Sequence, residues 1–436
     1  MNDKLEINQL VHTNEKEQIN EKEQISIKEQ INIKVHTNEK EQINKKLLRN
    51  IYLDYINTFI TNLNMQSSIW VLYLAYCGLN LMQIGLLEGI YHATSIVCEI
   101  PSGALADLLG RKKSMILSRI CVAISCVIML FSKSFWLFAL SFMIQALGNN
   151  FNSGSEEALV YDSIKCLGRE EDYMRIYSKS NVLVEISQAI ATVAGGVLAH
   201  YSYFWCYAAC VIIAMLTLIP VLKMLEPPII DKLSKENKQT VFITITRHFQ
   251  KCFQILKSDI RILKLILFYS VIMASYTLLF FYSQQYFADF GYSKIEISVI
   301  LMLVGVVSCF GALKSEMLFQ RFGNKIVTLS TVVIALCFIS YGFSNSLISI
   351  LTFMSASFFN SALYPVKSNA INMLIPSEQR ATLISVDSMF FSVSMIMMFP
   401  IAGAFADQCG LSVVFAILGI CLLGFIGIFR KSMGME

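Results

Sequence analysis

Two side chains of this 436-residue sequence could exchange a proton inside an apolar run, Glu88 and His92. Four residues apart, they share one helix face and come within hydrogen-bonding reach. A carboxyl withdrawn from water holds its proton more readily, which suits proton uptake or the binding of a polar substrate group. The other reading is a satisfied contact between packed helices near the outer surface. Glu185 and Asp387 are lone acids at some depth in other apolar runs, open equally to a cavity role or to pairing with a base. A charge near the middle of a bilayer costs at least about 2.5 kcal/mol without a partner or water, so each is a candidate for function. Arg119, Lys314, Glu316 and Lys367 lie nearer the ends of their runs, where long side chains reach the interface and a structural role is expected. Tyr269, Tyr276, Phe280, Phe281 and Tyr282 could stack on a substrate, although packing against lipid or neighbouring helices is the commoner use.

Other chemistries find no support. No nucleophile stands beside a base at usable spacing, no metal-ligand cluster occurs, and no Gly-x-x-x-x-Gly-Lys-Ser/Thr loop offers an ATP site. The twelve cysteines contain no Cys-x-x-Cys pair and mostly sit inside apolar runs, where they read as small packing residues. Neither enzyme activity, metal, cofactor nor nucleic-acid partner is expected.

The elements that must carry these residues follow from composition. Apolar residues make up 55% of the chain and charged residues 15%, too greasy for a soluble multidomain protein. Runs of about 20 apolar residues, each long enough to cross roughly 30 Å of hydrocarbon, predict an all-α polytopic membrane protein. Twelve such runs are expected, the first six at 50–77, 82–106, 114–132, 135–164, 175–200 and 203–224. The second six fall at 260–288, 295–320, 324–343, 346–374, 379–406 and 410–430. Domain organisation is therefore a tail over 1–45, a six-helix bundle over 46–224, a charged linker over 225–259 and a second bundle with a short tail over 260–436. In the tail, Val-His-Thr-Asn-Glu-Lys-Glu-Gln-Ile-Asn occurs at 11–20 and again at 35–44 without an amphipathic stripe, which predicts a solvated, disordered extension. No cleavable signal peptide is visible, so insertion is expected to start with the first span.

Bases set the orientation. Lys45, Lys46, Arg49, Arg111, Lys112, Lys113, Lys165, Arg169, the linker bases, Arg321, Lys325 and Arg430 fall on one side, against Lys133 and Lys294 on the other. The positive-inside rule then places both termini and the linker in the cytoplasm of a plasma-membrane protein. A compact polar turn, Gly-Ala-Leu-Ala-Asp-Leu-Leu-Gly-Arg-Lys-Lys from Gly103 to Lys113, joins the second and third runs on that side.

This turn resembles the loop between helices 2 and 3 of the major facilitator superfamily of secondary transporters, with Gly103, Asp107, Gly110, Arg111 and Lys112 at matching positions. Leu108 departs from the family, which usually has a base there. A weak echo, Gln320 to Lys325, follows the eighth run. Trp70 to Leu74, Gln83 to Gly89, Glu99 to Gly103, Ser153 to Ser163 and Asn372 to Thr382 also resemble a bacterial efflux-like branch. The resemblance spans 47–430 and implies two similar six-helix halves around a substrate cavity. It also implies that the start of the eleventh helix, Pro376-Ser377-Glu378, lies beside the turn, where Asp107 would bind the helix terminus when that side closes. Arg380 would face Glu157 or Asp162. Two antiporter signatures are missing, since Gln145 stands where an Arg is usual in helix 4 and Gly195-Gly196 lacks the usual Gly-Pro of helix 5. The expected function is alternating-access transport of a small molecule, coupled to protons, with export of amphipathic compounds favoured and a monomer sufficient. A nutrient uptake permease of the same fold, or a transport-inactive membrane sensor using its tail as output, are the alternatives.

Overall fold

The computed structural model describes residues 41–228, 260–343, 346–373 and 380–433, leaving 1–40 of the tail and most of the linker outside the described residues, while 41–45, expected as part of a disordered tail, are helical. The side chains of Ile100, Ala104, Asp107, Leu108, 370–373, 380–384 and 430–433 are also outside that description. The described residues are helical throughout, without strands.

The N-terminal half begins with α1 over 41–61, a 3₁₀ turn at Met65–Ser68 and α2 at Trp70–Tyr76. Together these form the first span, which is interrupted at 62–64 instead of running unbroken as expected. Asn62 and Asn64 flank the break, and Asn62 Nδ2 donates to the Thr58 carbonyl at 2.8 Å, competing with the helix ladder. Next come α3 (Leu81–Leu109), α4 (Arg111–Phe131), α5 (Phe135–Asn152) and α6 (Ser155–Cys166). The fourth span is α5 plus α6, split at Ser153-Gly154 because Gly154 takes a left-handed φ of 73°. Then follow α7 (Tyr173–Tyr201), α8 (Tyr203–Leu216) and α9 (Leu218–Lys223). The C-terminal half holds α10 (Ile260–Asp289), α11 (Lys294–Phe322), α12 (Lys325–Ser340), α13 (Ser346–Met373), α14 (Arg380–Cys409) and α15 (Leu411–Met433).

These make twelve spans in two sets of six. Nine of them are long and apolar enough to cross a membrane by hydropathy alone. The other three, the broken first span, α3 and α5–α6, carry more polar residues, and those residues turn out to line the interior.

Helix ends explain the turns. Asn80 and Ser293 open α3 and α11 with capping boxes, paired with Gln83 and Glu296. Between α3 and α4, Gly110 adopts φ 93°, which an L side chain rarely tolerates, and a Cβ there would also press on the Glu226 carboxylate at 3.3 Å. Glu226 accepts from the amides of Arg111 and Lys112, both at 2.8 Å, and so caps α4. Arg111 reaches Asp162 at 3.0 Å and Lys112 Nζ donates to the Leu222 carbonyl at 2.9 Å. The basic turn is thereby fastened to α6 and α9 of its own half.

The halves meet along α3 against α14, α7 against α11 and α2 against α10. Among the described residues, the hydrogen bonds between them gather at the end away from the basic turn. There Asp407 accepts from the amides of Leu81 and Met82, at 2.9 and 3.0 Å. Tyr282 Oη donates toward the carbonyls of Leu81 and Phe399, Gln284 bonds Val71 and Ser67, and Lys294 Nζ donates to the Ala199 carbonyl above the Tyr203 ring. Gly85 and Gly403 let α3 and α14 touch backbone to backbone, since a Cβ on Gly85 would lie 2.6 Å from the Phe399 carbonyl oxygen. One apolar core runs through both halves, including Trp70, Phe138, Tyr207, Tyr282, Phe353 and Phe399. Toward the basic end the N-terminal half has separate small clusters, around Leu53, Met115 and Leu159 and around Ile51, Val160 and Ile176.

Candidate functional site: a cavity between the halves

A cavity of about 350 Å³ lies between the halves. Span 1 contributes Asn64, Gln66 and Ser67 from its break and Trp70 from α2; α3 contributes Glu88, Tyr91 and His92. Met129 of α4 and Phe142, Gln145 and Asn149 of α5 complete the N-terminal wall. Facing them are Thr277 and Phe281 of α10 and Phe391 of α14.

Glu88 and His92 line this space and share one face of α3, as their i, i+4 spacing predicts. Nε2 of His92 lies 3.5 Å from Oε1 of Glu88, and both residues are 9% exposed. Across the interface, Nδ1 of His92 is 3.2 Å from Ser392 Oγ. When the serine donates, Nε2 keeps its hydrogen and aims it at the carboxylate; a protonated ring would donate from both nitrogens. His92 thus links the two halves directly. Its ring is edge-on to Tyr91 and Phe391, with centroids 5.3 and 5.6 Å apart. Tyr91 Oη in turn accepts from Asn149 Nδ2 at 2.7 Å, which fixes the phenol against the wall. Trp70 is edge-on to Phe142 at 5.7 Å and to Phe281 at 5.2 Å, so an aromatic wall continues across the halves.

The other sequence candidates lie elsewhere. Asp387 of α14 pairs with Lys367 of α13 at 2.6 Å, both in the C-terminal half and away from the cavity lining. Glu185 of α7 accepts from Cys309 Sγ at 3.4 Å, opposite α11, and likewise does not line the cavity. Arg119 and Lys367 were expected to reach toward the interface; instead both are buried, at 3% and 7% exposure, because carboxylates inside their own halves hold them. Around the turn, Gly103, Gly110, Arg111 and Lys112 shape the α3–α4 connection. The side chains of Asp107 and Arg380 and the whole of 374–379 lie outside the described residues. Asp162 takes Arg111 and Glu157 accepts from Tyr173, the two acids proposed for Arg380. Of the aromatic candidates on α10, Phe281 lines the cavity, Tyr282 joins the closed end, and Tyr269 is core.

Sequence reasoning missed Asn64, Gln66 and Ser67. The signal was present as a polar run, Asn62 to Ser68, inside an otherwise apolar span.

A profile of the Major Facilitator Superfamily matches residues 55–353 and 317–432. The uncharacterized MFS-type transporter YxaM of Bacillus subtilis (strain 168) is 24% identical over 367 residues, which cover 82% of this chain and 89% of that relative. Among solved structures, the nucleoside transporter NupG superposes with a TM-score of 0.69 at 14% identity, over 89% of this chain and 98% of its own. A structure from work on proton dependent oligopeptide transporters gives 0.65 at 14% identity, over 89% and 98%. At such identities the structural likeness establishes the fold.

Proposed function

Because the chain belongs to the Major Facilitator Superfamily and is a multi-pass secondary transporter, we propose that it carries a small amphipathic organic molecule through the central cavity, driven by protons and in the outward direction. The observation that carries this reading is the Glu88–His92 pair set into an aromatic cavity whose walls come from both halves. Trp70, Phe142, Phe281 and Phe391 offer flat apolar faces, Gln145 and Asn149 offer amides, and Glu88 supplies one carboxylate for a substrate amine. A site shared between two rocking halves exchanges its exposure without being dismantled.

The outward direction rests on the resemblance of the Gly103–Lys113 turn and its neighbouring stretches to an efflux-like branch. With its bases facing the cytoplasm, the end held by Asp407, Tyr282 and Gln284 faces outward and is closed. Such a conformation exchanges substrate with the cytoplasm, as exporters and importers both do in one part of their cycle. His92 supplies the means of communication: a change in its protonation or in the carboxylate beside it alters the Ser392 contact between halves.

Purified protein in vesicles with an imposed pH gradient tests the reading with a panel of fluorescent amphipathic amines. Wild type is expected to move at least one amine down to a gradient-dependent steady state, and Glu88→Gln is expected to lose binding and transport together. Full transport by Glu88→Gln would remove the carboxylate from substrate recognition.

A further inference from the structure

The N-terminal half contains a second cavity, of about 260 Å³, which plays no part in the substrate site. It lies among α1, the α5–α6 break and α7, and its lining includes Asp54, Asn62, Asn152, Glu156 and Ser180. Two acids and one base meet around it, Asp54 and Glu156 with Arg119 of α4.

Glu156 is fully engaged. Asn57 Nδ2 donates to Oε1, while Asn152 Nδ2 at 2.7 Å and Arg119 Nη2 at 3.3 Å donate to Oε2. Arg119 also touches Asn57 Oδ1 at 3.5 Å, so the guanidinium is committed to this cluster. Asp54 is left over. It is 4% exposed, its Oδ2 accepts one long bond from Ser180 Oγ at 3.4 Å, and its Oδ1 has no partner among the described residues. The other ionisable groups around the cavity are Glu157, Tyr173 and Tyr177, with Tyr55 adjacent on α1. Glu157 accepts a hydrogen bond from Tyr173 Oη, and none of these groups brings a positive charge to Asp54. Two carboxylates sharing one guanidinium leave a surplus negative charge in a buried place, which a proton on the less satisfied acid removes.

We propose that Asp54 is the proton-binding carboxyl of this transporter, loaded through the second cavity and separate from the substrate site. The proposal rests on the proton-driven reading above. One proton passes from water to an Asp54 oxygen and back, and no other bond is made or broken. Its route to the substrate is short in sequence: Asn62, at the break of span 1, lines the proton cavity, and Asn64, two residues on, lines the substrate cavity. Protonation removes the repulsion between Asp54 on α1 and Glu156 on α6, letting α1 settle toward α6 and α7. Ionisation pushes α1 away and displaces the break, carrying Asn64 and Gln66 with it.

The test needs no substrate. A hydrophobic carbodiimide couples to protonated carboxyls, so the reconstituted wild-type protein is treated over a range of pH and the modified peptides are mapped by mass spectrometry. Modification is expected at Asp54, falling as pH rises and exceeding that at Glu156 several-fold. Infrared difference spectra of the same samples should show a protonated-carboxyl C=O band that is lost in Asp54→Asn and kept in Glu88→Gln. Modification at Glu156 in place of Asp54, or no titrating modification at Asp54, overturns the proposal. Protection of Asp54 by sodium but not by choline would assign an alkali cation to the site and also overturn it. An Asp54 that titrates in a wild-type protein indifferent to pH gradients overturns proton-driven transport and leaves the proton site standing.

Discussion

Asp407 stands at the end of α14 and holds the start of α3, so removing it should loosen this closed end by a calculable amount. Asn80, the cap of α3, already accepts from the third amide, Gln83 N, at 2.8 Å. The first two amides, of Leu81 and Met82, have no partner within their own helix and are taken by Asp407 from the other half. An exposed carboxylate at a helix N-terminus contributes about 0.3–1 kcal/mol through the dipole, and a capping bond contributes about 1 kcal/mol. Because Asp407 is exposed, about 1.5 kcal/mol is a fair sum. All of it is present when the halves touch and absent when they part. Asp407→Ala should therefore raise the ratio of outward-open to closed molecules about tenfold, and Asp407→Asn, which keeps one acceptor, about threefold. The assay places a cysteine at Thr277, in the cavity lining, in a protein freed of its twelve native cysteines. A membrane-impermeant maleimide is then applied from the Asp407 face. Asn80→Ala serves as control, since it weakens the same helix end without touching the other half. Equal labelling rates in Asp407→Ala and its parent, or an equal rise in Asn80→Ala, would refute the argument that this carboxylate joins the halves.

Three further outcomes follow from the packing. Glu88→Gln should weaken binding of an amphipathic amine about tenfold or more, the loss expected for a charged hydrogen bond, while leaving a neutral aromatic analogue unchanged in equilibrium binding. Arg119→Ala leaves the half-buried Glu156 without its cation and should destabilise the protein by about 1–3 kcal/mol, read as a lower thermal midpoint in detergent; adding Glu156→Gln should restore most of it. Gly403→Val drives a side chain into the Leu81 carbonyl, so the outer end should fail to close, with faster labelling at the Thr277 cysteine and loss of transport.

Much of the architecture was legible in the sequence because lipid imposes a single rule, that an apolar run near 20 residues long crosses as a helix. The places where the reading erred share one cause. Span 1 and span 4 break at Asn62 to Asn64 and at Ser153-Gly154, both inside runs whose average hydropathy conceals local polar residues. Backbone freed at such breaks is tolerated where it faces protein or a polar cavity, and which of these it faces is a tertiary fact. The contact between Glu88 and His92 was legible because i, i+4 is a local relation; that the pair faces a cavity was not. Glu185 and Asp387 resembled them in sequence, but their surroundings depend on Cys309 and Lys367, 124 and 20 residues away. The burial of Arg119 was hidden for the same reason: nothing near it in sequence announces Asn57 and Glu156.

The bonds between the halves suit a contact that must break in every cycle. At the Asp407 end they are mostly directional hydrogen bonds with backbone groups, from Asp407, Tyr282, Gln284 and Lys294. Each is exchanged for water on opening, so its net contribution is on the order of 1 kcal/mol. A seam of such bonds beside glycine contacts closes firmly and still opens within a population a bound ligand can shift. The ion pairs behave differently. Arg119–Glu156, Arg111–Asp162 and Lys367–Asp387 each lie within one half, where breaking them would leave a poorly solvated charge. Strong pairs keep each half rigid while weaker bonds hold the halves together, which is the division that rigid-body rocking requires. It follows that substitutions in the ion pairs should alter thermal stability before labelling rate, and substitutions in the bonds between halves should alter labelling rate before stability. Arg119→Ala and Asp407→Ala, compared in both assays, decide whether that division holds.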